Sequence, residues 1–226
     1  MPDIAIFSGD RAANYNRFVS QWIPVYQRVI DYIPGLLEVH VAKTKDPIVV
    51  VGCGSGNELA AINQKHPEWQ LLGIDPSPEM VVQAREKLQG RENVQILDAR
   101  IEDLEDYPQF RAATLLLVLH FIPDDGRKLD LLKEIGTRLK VGAPLVIFDI
   151  HGDPATIDQQ LTMLRGILLS EHEESAIDDR LTAIKERIQY ISEDRLSALL
   201  IEAGFAKPQR FFQAAIYGGW IATKAA

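Results

Sequence analysis

Ile48 to Asn57 reads Ile-Val-Val-Val-Gly-Cys-Gly-Ser-Gly-Asn, and this stretch decides the fold. Its first four residues are apolar and β-branched, a run too short for a helix and typical of a buried parallel strand. Gly52, Gly54 and Gly56 follow at alternate positions, and Glu58 to Ile62 has the pattern of a helix start. Because glycine accepts positive φ and has no Cβ, such a turn lets backbone N–H groups approach a ligand closely. The stretch predicts a strand, a nucleotide-binding loop and a helix.

The spacing of these glycines distinguishes between ligand classes. A dinucleotide-binding fingerprint has the form G-x-G-x-x-G, and its third glycine lets the helix pack closely on the strand. This chain has G-x-G-x-G instead, with Asn57 where that third glycine would stand. The loop by itself is also compatible with simple turn chemistry, so its function depends on the residues that follow.

The composition predicts one globular domain. The chain has 226 residues, of which 46% are hydrophobic and 25% charged, enough to bury a large core without disulfides or metal. Its one cysteine, Cys53, stands inside the glycine-rich turn, either as a small residue that fills a tight loop or as a reactive thiol. A single cysteine suits a reducing compartment, and no histidine or acid spacing is typical of a metal site.

Charge and hydropathy argue against two classes of partner. The longest apolar run, Leu115 to Ile122, is interrupted by His120 and is far shorter than a bilayer span, and the N-terminus lacks the pattern of a signal peptide. A net charge of −8 opposes attraction to nucleic-acid phosphates and to anionic lipid. We therefore expect a cytoplasmic protein that acts on a small molecule, without a membrane or nucleic-acid partner.

An acidic residue follows the second predicted strand. Trp69 to Ile74 has the pattern of a strand and ends at Asp75, and Ser77-Pro78 then begins a helix with an N-cap and a proline at the first position. An acid at the tip of the second strand accepts hydrogen bonds from the ribose hydroxyls of an adenosine-containing ligand. The alternative is an aspartate in a solvent-facing turn, but strand, turn and cap all favour the ribose site.

Polar residues also follow the other buried strands that we predict, which are Val94 to Leu97, Thr114 to Leu119 and Leu145 to Ile150. Asp98-Ala99 ends the first of these strands and His120 ends the second. Asp149 and His151 lie two positions apart at the end of the third, so they project to one side. Because the carboxyl ends of parallel strands share one edge of a sheet, we expect these groups along a common site.

Helical patterns flank the strands at two places. Residues 1–45 predict a helical cover in which Tyr15 and Tyr26 either lean over a bound cofactor or belong to the core. Residues 152–191 carry two apolar helical stripes and predict an insertion. This insertion has the pattern of a lid, a wall of the substrate pocket, a contact between two copies of the chain, or simple scaffolding.

Two strands close the chain, Lys207 to Ala214 and Ala215 to Thr223, and the short link between them requires an antiparallel pair. Strands that alternate with helices predict an α/β fold with a doubly wound, mostly parallel, seven-stranded sheet. The C-terminal antiparallel hairpin completes this sheet, and the helical insertion follows the fifth strand. Residues 1–226 are expected to form a single domain.

The order of these features resembles the class I S-adenosylmethionine (SAM)-dependent methyltransferases over nearly the whole chain. The matching features are the glycine loop, the acid after the second strand, Asp98-Ala99, the passage Leu119 to Asp124 and the final hairpin. The resemblance implies a Rossmann-like methyltransferase fold with SAM as cofactor. It places the methionine part of SAM near the glycine loop, including Cys53, the ribose at Asp75, and the adenine beside Pro76 and Asp98-Ala99. Tyr26 then lies close to the cofactor.

Three segments resemble one branch of this family, the carboxy-SAM synthases and related tRNA-uridine-modification enzymes: Ile23 to Tyr26, Ala203 to Phe205 and Phe211 to Gln213. The chain departs from the family at Val50, where the common pattern has an acid two residues before the first glycine. In the branch, an arginine of the insertion and an asparagine of the fourth strand contribute to the carboxy-SAM site. Here Arg180 aligns approximately with the arginine, whereas Leu116 replaces the asparagine, so we predict ordinary SAM.

Methyl transfer from a sulfonium needs mainly alignment of the reactants and exclusion of water. An acceptor that must lose a proton benefits from a histidine, which titrates near neutral pH, so His120 and His151 are the candidate catalytic residues. Asp149 is a candidate to orient or replace His151; the alternative for both histidines is a structural role.

Three functions follow from these patterns. The first is a methyltransferase for a small or medium-sized metabolite, with carboxy-SAM synthesis as its variant and a homodimer through the insertion as its assembly. The second is a nucleotide-linked dehydrogenase, which the glycine spacing disfavours. The third is a non-catalytic SAM-fold subunit, which the missing acid at Val50 keeps open.

Overall fold

A seven-stranded sheet forms the centre of the computed structural model, which describes residues 7–41 and 45–226. The strands are β1 (Ile48–Val51), β2 (Leu71–Asp75), β3 (Val94–Asp98), β4 (Ala112–Leu116), β5 (Pro144–Ile150), β6 (Gln209–Ala214) and β7 (Tyr217–Thr223). Their order across the sheet is β3-β2-β1-β4-β5-β7-β6. Strands β1 to β5 are parallel, and β7 runs antiparallel to both β5 and β6. The predicted fold class is confirmed.

Helices cover both faces of this sheet. They are α1 (Asp10–Ala13), α2 (Tyr15–Trp22), α3 (Tyr26–His40), α4 (Asn57–Lys65), α5 (Pro78–Lys87), α6 (Arg127–Arg138), α7 (Ile157–Leu168), α8 (Glu174–Arg187) and α9 (Glu193–Glu202). Alternate residues of β1 point to opposite faces, so Ile48 and Val50 join one apolar core, whereas Val49 and Val51 join the other. Side chains of α3, α4, α5, α7 and α8 belong to the first core, and those of α6 and α9 to the second.

The helical insertion is part of the core. The side chains that α7 and α8 bury in the first apolar core are Ile157, Leu161, Leu164, Leu168, Ile177 and Ile184. The insertion also contacts α2, because His172 stacks on Trp22 with ring centroids 4.0 Å apart and the Arg180 guanidinium lies 4.7 Å above the Phe18 ring. The insertion therefore supports the N-terminal helices. No helix within residues 7–41 and 45–226 is both long and apolar enough to cross a bilayer.

The fourth strand ends earlier than the sequence predicts. The prediction of Thr114 to Leu119 as strand is wrong at its end, because β4 stops at Leu116 and Leu117 adopts a left-handed conformation with φ of 57°. The Leu117 amide still donates to the Phe148 carbonyl at 2.7 Å, and a 3-10 turn follows at Leu119–Phe121. The apolar run misled the prediction because the residues of this turn are buried as deeply as those of the strand.

Candidate cofactor-binding site

The glycine loop between β1 and α4 has the conformation that its sequence predicts. Gly52, Gly54 and Gly56 have φ values of 71°, 52° and 81°, a region that favours glycine. A Cβ at position 52 would also lie 2.5 Å from Val118 Cγ2, and one at position 56 would lie 3.1 Å from Ala84 Cβ. The loop therefore needs glycine both for its backbone conformation and for its close approach to neighbouring elements.

The predicted ribose acid holds this loop to the tip of β2. Asp75 Oδ2 accepts the Gly54 amide at 2.9 Å, and Oδ1 accepts the Ser77 amide at 2.9 Å. Burial raises the pKa of Asp75, and the two amide hydrogen bonds oppose that rise. Asp98 is the Cα partner of Asp75 in the β2–β3 register, and the Ala99 amide donates to the Asp75 carbonyl at 3.3 Å. The structure thus brings the predicted residues of the second and third strands to one edge.

Helix α2 forms a roof over the glycine loop. The Tyr15 ring lies 3.6 Å from the point where a Cβ on Gly54 would be. Asn16 Oδ1 accepts the Ser55 hydroxyl at 2.6 Å and the Asn57 amide group at 2.9 Å. Tyr15 thus lies directly beside the loop and also packs against the first apolar core, so both alternatives for this residue stay open.

A cleft of about 280 Å³ lies between this roof and the loop. Tyr15, Tyr26, Gly52, Cys53, Ser55, Asn57, Glu58 and Leu116 are among the residues that line it. The Tyr26 hydroxyl accepts Asn57 Nδ2 at 3.0 Å; burial raises the pKa of Tyr26 to about 12, although this hydrogen bond opposes the rise. Burial also raises the pKa of the Cys53 thiol, so Cys53 is a buried neutral group rather than a reactive one.

The sequence prediction missed Glu58, which also lines the cleft. Glu58 is only 5% exposed, and burial raises the pKa of its carboxyl to about 7. The positive end of the helix dipole ordinarily stabilises a carboxylate in the first turn of a helix. From its position in the sequence, Glu58 is therefore expected to be exposed and ionised. The one sequence feature that could have indicated a place in the cleft is the position of Glu58, two residues after Gly56, the last glycine of the loop.

The two histidines of the prediction border a second cavity. This cavity, of about 250 Å³, is lined by His120, Lys128, Asp149, His151 and neighbours that include Gln189 and Trp220. Neither histidine is among the residues that line the cleft of the glycine loop. A common site along the strand ends and a catalytic role for His120 and His151 stay predictions.

Asp149 pairs with His120 rather than with His151. Its Oδ1 lies 2.5 Å from His120 Nδ1, and its Oδ2 accepts the backbone amides of Val118 and Leu119 at 3.1 and 2.8 Å. The prediction that Asp149 orients His151 is therefore wrong. The reason is that the backbone amides of Val118 and Leu119, in the turn after β4, need an acceptor. By accepting both of them, the Asp149 carboxylate lies beside His120.

A buried lysine and the second histidine complete this cavity. Lys128 is fully buried, and its ammonium donates to the carbonyls of Leu119 and Gln189 at 2.5 and 2.8 Å. Burial lowers the pKa of Lys128 to about 8, although Asp149 and Asp124 oppose this shift. Burial also lowers the pKa of His151, whose ring lies edge-on to Trp220. No group of three or more metal-ligating side chains occurs in the part of the chain that the structure describes.

The chain is similar to known proteins in sequence and in fold. A family model described as a methyltransferase domain matches residues 49–145. The carboxy-S-adenosyl-L-methionine synthase of Helicobacter pylori (strain Shi470) is 28% identical over 159 residues, which are 66% of this chain but only 64% of that one, less than two thirds of its length. The synthase of Hydrogenovibrio crunogenus is 23% identical over 225 residues, covering 97% of this chain and 89% of that one.

A solved structure shares the fold over its whole length. Magnesium protoporphyrin IX methyltransferase from Synechocystis PCC 6803 is 15% identical, with a TM-score of 0.72, and the match covers 98% of this chain and 97% of that one. The similarity includes the mostly parallel seven-stranded sheet and its C-terminal hairpin. Together with the family model and the curated relatives, this fold supports a class I SAM-dependent methyltransferase.

Proposed function

We propose that this protein binds SAM and transfers the methyl group to a small or medium-sized metabolite. The observation that carries the proposal is the hydrogen bond from the Gly54 amide to Asp75, which joins the glycine loop to the acid at the tip of β2. Solved methyltransferases with a similar fold have SAM or S-adenosylhomocysteine bound. The net charge of −8 favours a small-molecule acceptor over nucleic acid.

The residues of the cleft supply binding, orientation and a dry environment. The sulfonium of SAM supplies an activated methyl group, so the protein needs mainly to align the acceptor and to exclude water. The roof formed by Tyr15 and Asn16 limits access of water to the glycine loop. His120 or His151 can act as a base only for an acceptor that extends from the cleft towards the second cavity.

A second candidate is carboxy-SAM synthesis, which is the activity named for the relatives from Helicobacter pylori and Hydrogenovibrio crunogenus. The Nε of Arg180 and the hydroxyl of Tyr217 are both buried. Neither atom has a well-formed hydrogen bond among the described residues. Burial raises the pKa of Tyr217, and the Arg180 guanidinium beside it opposes this rise. A guanidinium suits a carboxylate, but Leu116, which lines the cleft, offers no side-chain hydrogen bond to one. We therefore keep ordinary methyl transfer as the first candidate.

Mass spectrometry of the ligand released from protein purified without added cofactor distinguishes the candidates. We expect SAM or S-adenosylhomocysteine from the wild-type protein. Recovery of carboxy-SAM would establish the second candidate instead. If no ligand is recovered, calorimetry with SAM and with NAD decides: NAD binding indicates a dehydrogenase, and failure to bind SAM indicates a non-catalytic subunit.

Asp75→Ala is expected to weaken SAM binding by about 1.5–3 kcal/mol, or roughly ten- to a hundredfold, because charge-assisted hydrogen bonds to the ribose are lost. The same change removes the acceptor of the Gly54 and Ser77 amides, so the free protein should also lose stability. Calorimetric titration and thermal unfolding measure the two effects. Asp194→Ala is the control, since it removes an exposed acid of α9 and should leave SAM affinity unchanged. Unchanged SAM affinity in Asp75→Ala would remove Asp75 from the site.

We further propose a cytoplasmic protein that forms a homodimer through the insertion. Support for the dimer is the apolar surface on and after α7, where Met163, Ile167 and Leu169 are each about half exposed. Size-exclusion chromatography with light scattering tests this assembly directly.

A further inference from the structure

Residues 7–13 form a strap that leads into α2 and is tied to α5. The Phe7 carbonyl accepts the Ser77 hydroxyl at 3.0 Å, and the Ala12 carbonyl accepts Gln83 Nε2 at 2.9 Å. Ser77 is the N-cap of α5 and Gln83 lies within this helix, which follows the tip of β2. Because both hydrogen bonds use backbone oxygens of the strap, they hold its course whatever side chains it carries.

The Phe7 ring lies between the ends of two strands. Its centroid is 5.7 Å from that of Tyr15 and 5.2 Å from that of Phe121, and both pairs are edge-to-face, with interplanar angles of 81° and 84°. Tyr15 covers Gly54 in the loop after β1, and Phe121 belongs to the 3-10 turn after β4. The ring therefore bridges the elements that follow β1 and β4, which are neighbours in the sheet.

The backbone of the same residue reaches the predicted ribose acid at the tip of β2. Ser77, which donates its hydroxyl to the Phe7 carbonyl, donates its amide to Asp75 Oδ1 at 2.9 Å. Ser77 is only 2% exposed, so this connection is shielded from water. Strands β2, β1 and β4 are consecutive in the sheet, so Phe7 meets the ends of three neighbouring strands. A ligand held by both the glycine loop and Asp75 lies beside it.

Core packing does not account for the two phenylalanines. Within residues 7–41 and 45–226, Phe7 and Phe121 belong to neither of the two apolar cores, and both rings are only partly buried. Exposure of aromatic rings to water is unfavourable, and a planar ligand that packs on them removes part of this exposure. The strand ends thus present an aromatic surface next to the polar groups of the glycine loop and Asp75.

We propose that the Phe7 ring packs against the adenosine part of the cofactor and thereby retains the cofactor in the cleft. This inference rests on the proposed function and gives the strap a part in it. Adenine is planar and aromatic, and its π-face packs on aromatic side chains independently of hydrogen bonding. The glycine loop and Asp75 supply hydrogen bonds, whereas Phe7 supplies aromatic contact. Loss of the ring should therefore weaken binding of the nucleoside and not of the amino-acid part.

Calorimetric titration with S-adenosylhomocysteine and with 5′-methylthioadenosine tests the proposal, because both compounds contain adenosine and only the first has the amino-acid part. Phe7→Ala should weaken binding of both compounds by the same factor, roughly five- to a hundredfold, as expected when a base loses one aromatic partner. Phe7→Tyr keeps the ring and should bind both compounds as the wild type does. The strap should stay in place in both variants, since the hydrogen bond from Ser77 uses the backbone carbonyl of Phe7.

Tyr32→Ala is the matched control, because it removes an aromatic ring of α3 that is 47% exposed and is not among the residues that line the cleft. It should bind both compounds as the wild type does, and thermal unfolding without ligand verifies that each variant is folded. Three results would overturn the role of Phe7 while leaving SAM binding intact: unchanged affinity in Phe7→Ala, a loss confined to S-adenosylhomocysteine, or no recovery in Phe7→Tyr. A wild-type protein that binds S-adenosylhomocysteine but not 5′-methylthioadenosine would overturn it as well. Failure of the wild type to bind either SAM or S-adenosylhomocysteine would instead overturn the proposed function.

Discussion

Asp149→Ala is expected to lower the free energy of unfolding by about 3–5 kcal/mol, the usual cost of removing one partner from a buried pair. The carboxylate is 3% exposed and holds three groups of the turn after β4: the amides of Val118 and Leu119 and the ring of His120. All three lose their partner together in the alanine variant. Urea denaturation at pH 7 measures the loss.

Asp149→Asn is the matched control, because it keeps one acceptor oxygen and the shape of the side chain. We expect it to cost less than Asp149→Ala. Activity per folded molecule of Asp149→Asn separates the two roles open to His120. If the His120–Asp149 pair is purely structural, methyl transfer is unchanged. If the pair is catalytic, methyl transfer is abolished. A loss of stability below about 1 kcal/mol in the alanine variant would show that the turn has other support.

Glu58→Gln is expected to stabilise the ligand-free protein at pH 8 by up to about 3 kcal/mol and to leave its stability at pH 4 nearly unchanged. Burial raises the pKa of Glu58 to about 7 in the folded chain, above the ordinary value of a glutamate. The folded state therefore holds the proton more tightly than the unfolded state does. This contribution to stability is complete below the unfolded pKa and is lost as pH rises through about 7.

Urea denaturation of both proteins between pH 4 and pH 8 gives the difference curve, in which the other titrating groups cancel. The difference should develop between the ordinary glutamate pKa and about 7 and then become constant. A difference that is independent of pH would show that Glu58 is already ionised in the free protein.

The fold was predictable because its signals are local. The β-branched run of β1, the glycine loop and the N-cap of α5, where Ser77 Oγ accepts the Met80 amide at 3.3 Å, all act within a few residues. The antiparallel hairpin of β6 and β7 follows from the short connection between them. For these elements the sequence neighbours are also the spatial neighbours.

The candidate site was predictable only in part, because its decisive contacts join distant residues. Asp75 and the glycine loop have recognisable positions, whereas the burial of Glu58 depends on α2, α3 and β4 together. Strand alternation correctly places Asp149 at the end of β5, but it does not reveal that the turn after β4 offers unpaired amides. Charge environment and hydrogen-bond partners of these residues therefore emerge only from the folded chain.

The roof over the glycine loop has a consequence for how long a ligand stays bound. Tyr15 and Asn16 lie over the glycine loop, and Asn16 accepts a hydrogen bond from the loop residue Ser55. We therefore expect a ligand bound between α2 and the loop to leave when α2 separates from the loop. The contacts to be broken include the Asn16–Ser55 hydrogen bond and the stacking of Trp22 on His172. Residence time, and with it the exchange of spent for fresh cofactor, is thus governed by an N-terminal helix that the insertion holds in place.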